Sequence, residues 1–128
     1  MSKISDQHYA IGTKNPNLPF YPAVRAGDYI YVSGQVSKDE NGNMIQGSIE
    51  IETANTIKAI ERIIAEEGAT LKDVVRVTTY LEDMRDFGRY NAEFKKYFDR
   101  CVIARTTVQG SAAINVLIEM EAIVYKPL

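Results

Sequence analysis

The sequence predicts one α+β domain, spanning residues 1–128, in which two helices cover one face of a mixed β-sheet. Two patterns and one quantity predict it. Residues 29–36, 74–81, 105–109 and 116–125 are rich in β-branched and aromatic side chains and read as strands. Two other stretches change to the three-and-four spacing of a helix. The apolar fraction, 45%, is ordinary for a globular chain and suits a single packed core.

The elements follow in order. A short strand is expected near 9–12, then a turn-rich segment, Asn15-Pro16-Asn17-Leu18-Pro19. After strand 29–36, Lys38-Asp39-Glu40-Asn41-Gly42-Asn43 reads as a polar hairpin connection, with Asn41-Gly42 suited to positive φ. Ala54, Ile57, Ile60 and Ile64 then mark one face of a helix over about 49–67. Ser48 is its N-cap candidate, with Ile51 where a capping box needs Glu, and Gly68 is its C′ residue. Strand 74–81 leads to a second helix capped by Asp86, in which Phe87, Tyr90, Phe94 and Tyr97 form an aromatic stripe that reads as core packing. The order is β-β-α-β-α-β-β, with the extra strand near 9–12. In strand 74–81 the set Val75, Val77, Thr79, Leu81 alternates with Val74, Arg76, Thr78, Tyr80, so both faces carry apolar side chains. A sheet face left uncovered by two helices therefore favours oligomerisation over exposure to solvent.

Composition removes several classes of function. The net charge is −2 with both signs mixed along the chain, so no basic stripe is available for a nucleic-acid backbone. No apolar stretch is long enough to span a membrane, and residues 1–6 carry no secretory h-region, which points to the cytoplasm. Cys101 is the single cysteine and His8 the single histidine; together they exclude an internal disulfide and leave no metal site or Cys–His nucleophile in view. His8 falls in an exposed N-terminal strand and reads as inert. Glycine-rich phosphate loops and nucleophile elbows are missing, and no cofactor is implied.

The closing strands are more informative. Arg105, Thr107 and Gln109 share one strand face, and Glu119 and Glu121 share another. If the chain reverses around Ser111-Ala112-Ala113, Arg105 stands opposite Glu119; a slip of two residues puts it opposite Glu121 instead. Either register places a guanidinium and a carboxylate on one patch of sheet. Read from pattern alone, that patch is a surface cross-strand ion pair worth ~0.2–1 kcal/mol.

Four segments in order resemble one family. Val24-Arg25-Ala26-Gly27-Asp28-Tyr29-Ile30-Tyr31-Val32-Ser33-Gly34-Gln35 is similar to the first-sheet signature of the Rid proteins, the reactive intermediate deaminases also called the YjgF family. The run from Val74 through Asp83-Met84-Arg85-Asp86-Phe87 to Asn91 resembles their central strand, following turn and helix start. Ala104-Arg105-Thr106-Thr107-Val108 and Ile118-Glu119-Met120-Glu121-Ala122 resemble their closing pair. The resemblance implies a chorismate-mutase-like fold of the bacillus type, a homotrimer with clefts between subunits, and hydrolysis of 2-aminoacrylate-type enamines and imines to keto acid and ammonia. It implies that Arg105 holds the substrate carboxylate and that Glu119 sits by the hydrolytic water. It places Gly34 and Asn91 in the walls of the cleft, and Phe20, Tyr21, Ser33 and Thr107 around the ligand. Thr107 stands where the family carries a cysteine that acts through its backbone, and Phe20 where it carries a tyrosine. The Arg-Thr-Thr form also resembles the 2-aminomuconate deaminase branch. Alternatives left open are a small-metabolite-binding or chaperone-like trimer without chemistry, and the ribonuclease or translation-inhibitor activity attached to some relatives. Against the last stand the missing basic groove and the missing histidine pair.

Overall fold

A computed structural model describes residues 2–128. Its strands are β1 (Lys3–Ser5), β2 (His8–Ile11), β3 (Ala23–Ala26), β4 (Tyr29–Gln35), β5 (Val74–Leu81), β6 (Ala104–Gln109) and β7 (Ile118–Tyr125). Its helices are α1 (Ile49–Ala65) and α2 (Phe87–Phe98). The strands form one sheet in the order β1-β2-β3-β4-β7-β5-β6. Neighbours are antiparallel except β5 and β6, which run parallel and are joined through α2. Both helices pack on one face, over a core built from Ile57, Ile60 and Ile64 of α1, Tyr90, Phe94 and Phe98 of α2, and the inward residues of β4, β5 and β7.

The helix boundaries follow from their caps. Ser48 Oγ accepts from Ile51 N at 3.2 Å and opens α1. Gly68, at φ +72°, turns the chain so that Ala69 N bonds back to Ile64 O. Ala54, expected inside, is only half-buried; Thr53 and Thr56 are the buried residues there. Thr56 can lie inside because its hydroxyl donates to Glu52 O at 2.7 Å. Asp86 does not cap α2 with its side chain, which pairs instead with Arg89 at 2.6 Å. A 3₁₀ turn, Met84–Asp86, precedes the helix, and Asp83 caps that turn by accepting from Arg85 N. Arg85 holds the Asp83 carboxyl down at about 2.

Three expectations about the sheet are corrected. The polar segment 38–43 does make a tight turn, with Gly42 at φ +83° and a single Lys38–Met44 bridge, but it leads into α1 and joins no two strands of the sheet. In β5 the pairing with β7 shifts between Val74 and Arg76, so Val74 and Val77 are both buried and Val75 falls out of the alternation. The largest correction concerns the closing strands, which are not a hairpin. β7 lies between β4 and β5, and β6 is on the far side of β5 at the sheet edge. The loop between them straddles the end of β5, where Gly110 N bonds Leu81 O and Glu82 N bonds Leu117 O.

The face away from the helices carries Tyr29, Tyr31 and Tyr125, which are 41–48% exposed, with Tyr29 and Tyr125 in ring contact at 5.3 Å. No helix among the described residues is long and apolar enough to cross a membrane.

Candidate functional site

Arg105 and Glu119 do not meet within one chain. In the sheet register Arg105 pairs with Val77, which faces the helices, and Glu119 pairs with Tyr80, which faces the open side. Cross-strand partners share a face. The guanidinium and the carboxylate therefore leave the sheet in opposite directions, and the expected common patch does not exist. The sequence residues instead divide into two half-sites.

The first half-site is built on β6 and α2. Arg105 lies over the aromatic stripe, with its guanidinium carbon 4.8 Å from the Phe94 ring centroid, 4.9 Å from Tyr90 and 5.8 Å from Phe87. One Nη donates to Asn91 Oδ1 at 2.7 Å. Rings below and an amide at one side fix the plane of the guanidinium, which is the pre-organisation a bidentate carboxylate contact needs. Arg105 has no carboxylate within ion-pair distance among the described residues. It opens instead on a groove of about 440 Å³ whose walls include Asn91, Phe94, Phe98 and Ile103. Thr107, two residues along β6, is bound sideways: its Oγ1 is 2.9 Å from Tyr90 Oη, which donates to the buried Thr79 at 2.8 Å. Its hydroxyl is taken up by this hydrogen bond to Tyr90.

The second half-site is the end of β4 against β7. The ladder is irregular between Val32 and Gln35, which sets Ser33 and Gly34 out of regular pairing beside Glu119. A Cβ on Gly34 would stand 2.6 Å from Glu119 Oε2. Only a glycine lets the carboxylate lie against this backbone. Ser33 Oγ donates to Tyr21 O at 2.7 Å and Ser33 N to Pro22 O, so residues 21–22 are pinned to the strand residue that precedes Gly34. Phe20, just before them, is half exposed, and the Lys14 ammonium lies 5.8 Å from the Tyr21 ring centroid. Burial, and then the neighbouring Glu121, push the Glu119 carboxyl above its ordinary range. Glu121 itself is exposed and accepts from Tyr80 Oη at 2.9 Å.

The aromatic stripe does both jobs: it is core, as its spacing suggests, and it is the platform for Arg105. The sequence could not show the second role, because the platform and the arginine meet only through the β5–α2–β6 crossover. A larger groove, about 780 Å³, lies between the end of α2 and residues 70–72 and is bordered by Lys72, Arg100 and Cys101. Neither Arg105 nor Glu119 reaches it. Cys101 is half-buried with its thiol pushed up by burial, and His8 is exposed in β2. Neither joins either half-site.

The family model for endoribonuclease L-PSP matches residues 12–126. A RutC family protein of Pyrococcus abyssi is 43% identical over 113 residues, 87% of this chain and 89% of that protein. The 3-aminoacrylate deaminase RutC of Acinetobacter baylyi is 32% identical over 116 residues, 89% of this chain and 92% of that one. A 2-iminobutanoate/2-iminopropanoate deaminase of Mus musculus is 35% identical over 95 residues, 73% of this chain and 70% of that one. Among solved structures, yeast Mmf1 superposes with a TM-score of 0.83 at 28% identity, covering 98% of both chains. With nearly its whole length matched in sequence and in fold, this chain belongs to the endoribonuclease L-PSP family, the family of the RutC and YjgF proteins.

Proposed function

We propose that this protein hydrolyses small enamine and imine acids to keto acid and ammonia, in a homotrimer whose clefts join Arg105 of one copy to Glu119 of the next. The observation that carries this reading is the state of Arg105: a flat, half-buried guanidinium, held by Asn91 and three rings, facing a groove and paired with no carboxylate among the described residues. Such a group is completed by an anionic ligand. The deaminase names of two relatives support the choice of ligand. The exposed tyrosines of the open face support assembly.

In this reading the enamine tautomerises to the imine, and Arg105 takes its carboxylate in both N–H donors of the fork left free by Asn91. Water attacks the imine carbon as Glu119 accepts a proton from it. Glu119 returns that proton to the nitrogen, which gives the neutral carbinolamine; the same carboxylate then takes the hydroxyl proton and passes it to the amine, so that the C–N bond breaks, ammonia leaves and the carbonyl forms. A carboxyl raised above its ordinary range by burial is the easier to protonate in that exchange. Positioning and one acid–base group do the work, and the chemistry needs no cofactor.

The test is to generate 2-imino acids with an amino-acid oxidase in the presence of a carbonyl-reactive imine trap. Added protein should accelerate ammonia release and reduce trapped imine in proportion to its concentration. Rates equal to those without protein, across a panel of side chains, reject the reading in favour of a metabolite-binding trimer. The ribonuclease in the family name finds no counterpart in either half-site, where no histidine is present.

A further inference from the structure

α2 carries three cations, and they are not equivalent. Arg89 reaches Asp86 at 2.6 Å and Glu50 at 3.5 Å, and Lys96 reaches Glu93 at 2.9 Å. Lys95 holds no carboxylate within 4.0 Å among the described residues. It lies four residues after Asn91, on the same helix face, with Cβ atoms ~6 Å apart. Asn91 is the residue that fixes Arg105. Lys95 and Arg105 border the same groove of about 440 Å³, whose floor is Phe94, Phe98 and Ile103. The groove thus has a planar cation at one end, an exposed ammonium one helical turn away, and apolar side chains beside them. Asp99 borders it a further turn beyond Lys95, where a carboxylate repels any anion that extends past the lysine.

We propose that Lys95 is a second anion contact of the Arg105 cleft, which selects imino acids bearing two carboxylates over those bearing one. The inference rests on the deaminase reading above and names its substrate class. The first carboxylate sits on the Arg105 fork and the second on the Lys95 ammonium. The few carbons between them lie on Phe94 and Phe98. A lysine suits the second position because its four-carbon stem adjusts to chain length, whereas the Arg105 end, beside the reacting carbon, requires a fixed geometry. Lys95 also borders the larger groove toward Lys72, so the ammonium can swing clear when a monocarboxylic ligand is bound.

The experiment compares wild type, Lys95→Gln and Lys95→Glu on imines generated by amino-acid oxidases from aspartate and glutamate and from alanine and 2-aminobutyrate. The ratio of kcat/KM, dicarboxylic to monocarboxylic, should exceed one in wild type, fall about tenfold in Lys95→Gln, mainly through KM, and fall further in Lys95→Glu. An unchanged ratio in both variants, or a wild type without preference, overturns the proposal. Calorimetric binding of 2-oxoglutarate and 2-oxobutanoate separates this inference from the reading beneath it. Tighter binding of 2-oxoglutarate that depends on Lys95, in a protein that hydrolyses no imine, upholds the subsite and rejects the deaminase. Equal affinity for the two keto acids, in a protein that does hydrolyse imines, rejects the subsite alone.

Discussion

Arg105 and Glu119 stand on opposite faces of one sheet, Arg105 in register with the buried Val77 and Glu119 in register with the half-exposed Tyr80. No rotamer change within a chain brings the two side chains around β5. If both act on one substrate, they do so from different copies. Copies of Arg105→Ala and Glu119→Gln, each inactive alone, should then restore activity when co-assembled. Random assortment leaves about a quarter of clefts with both wild-type residues. Light scattering of the wild type should give three times the 14.4 kDa chain mass. A monomer at micromolar concentration, or no recovery in mixed assemblies, removes the shared cleft.

Arg105→Lys should keep the fold and lose activity. Lysine retains the charge and can still lie on the rings of Tyr90 and Phe94, but it has no fork to share between Asn91 and a carboxylate. The loss of one charge-assisted hydrogen bond corresponds to about 10- to 100-fold in kcat/KM. Steady-state kinetics beside an unchanged circular dichroism spectrum check it; wild-type kcat/KM shows that the arginine is not a bidentate clamp.

Glu119→Gln should slow hydrolysis by ~10²–10⁴-fold while keto-acid binding holds or tightens, because the amide fills the same space without accepting a proton or repelling an anion. Stability should move with it. Burial first, and Glu121 second, raise this carboxyl, so the folded chain keeps a proton that the unfolded chain has released. Its contribution is fully present below the ordinary value of 4.5 and is lost as pH rises from there through the raised folded value. The variant should therefore gain stability relative to wild type between acid pH and neutrality. Urea denaturation across that range measures the difference; parallel curves reject the assignment.

Gly34→Ala should fold and fail. The new Cβ would lie 2.6 Å from Glu119 Oε2 and 3.0 Å from its Cδ, so the carboxylate must swing away. The end of a flexible side chain moves at small cost to stability, but displacement of a positioned group by about 1 Å costs on the order of 100-fold in rate. A thermal midpoint near wild type together with that loss is the expected pair of results. Full activity means that the carboxylate is not needed where it lies.

Arg25→Met should destabilise the fold by about 3 kcal/mol without touching either half-site. Arg25 is 3% exposed and pairs with Glu67 at 3.1 Å, and it also donates to the carbonyl oxygens of Gly27 and Lys126. Tyr9 donates to the same glutamate. One side chain thus ties β3 to the end of α1 and to the C-terminal residues. Chemical denaturation with unchanged kcat/KM at low temperature checks it.

The sequence by itself determined the long elements, while the short strands β1 and β3, at three and four residues too brief to show a period, were not among those expected. Period-two runs of Val, Ile, Thr and Tyr gave β4, β5 and β7 their places, and the Ile57, Ile60, Ile64 spacing with Ser48 and Gly68 bounded α1 almost to the residue. These features are local: they depend on which side of a strand or helix a side chain leaves, and on one cap or one left-handed glycine. Motif likeness also singled out Arg105, Asn91, Gly34 and Glu119, and the fold puts Arg105 against Asn91 and Glu119 against Gly34. The pairing between those pairs was decided by tertiary structure alone. Alternation tells which residues share a face of one strand, but not which strand lies next to it. The insertion of β7 between β4 and β5 reversed the expected neighbours of Arg105 and Glu119. A hairpin and a crossover differ only in where a loop of a few residues travels. That path is set by burial: Ile118, Met120, Ala122 and Val124 reach the core only if β7 takes the interior position, and β6, with just Arg105 and Thr107 turned toward α2, is left at the edge.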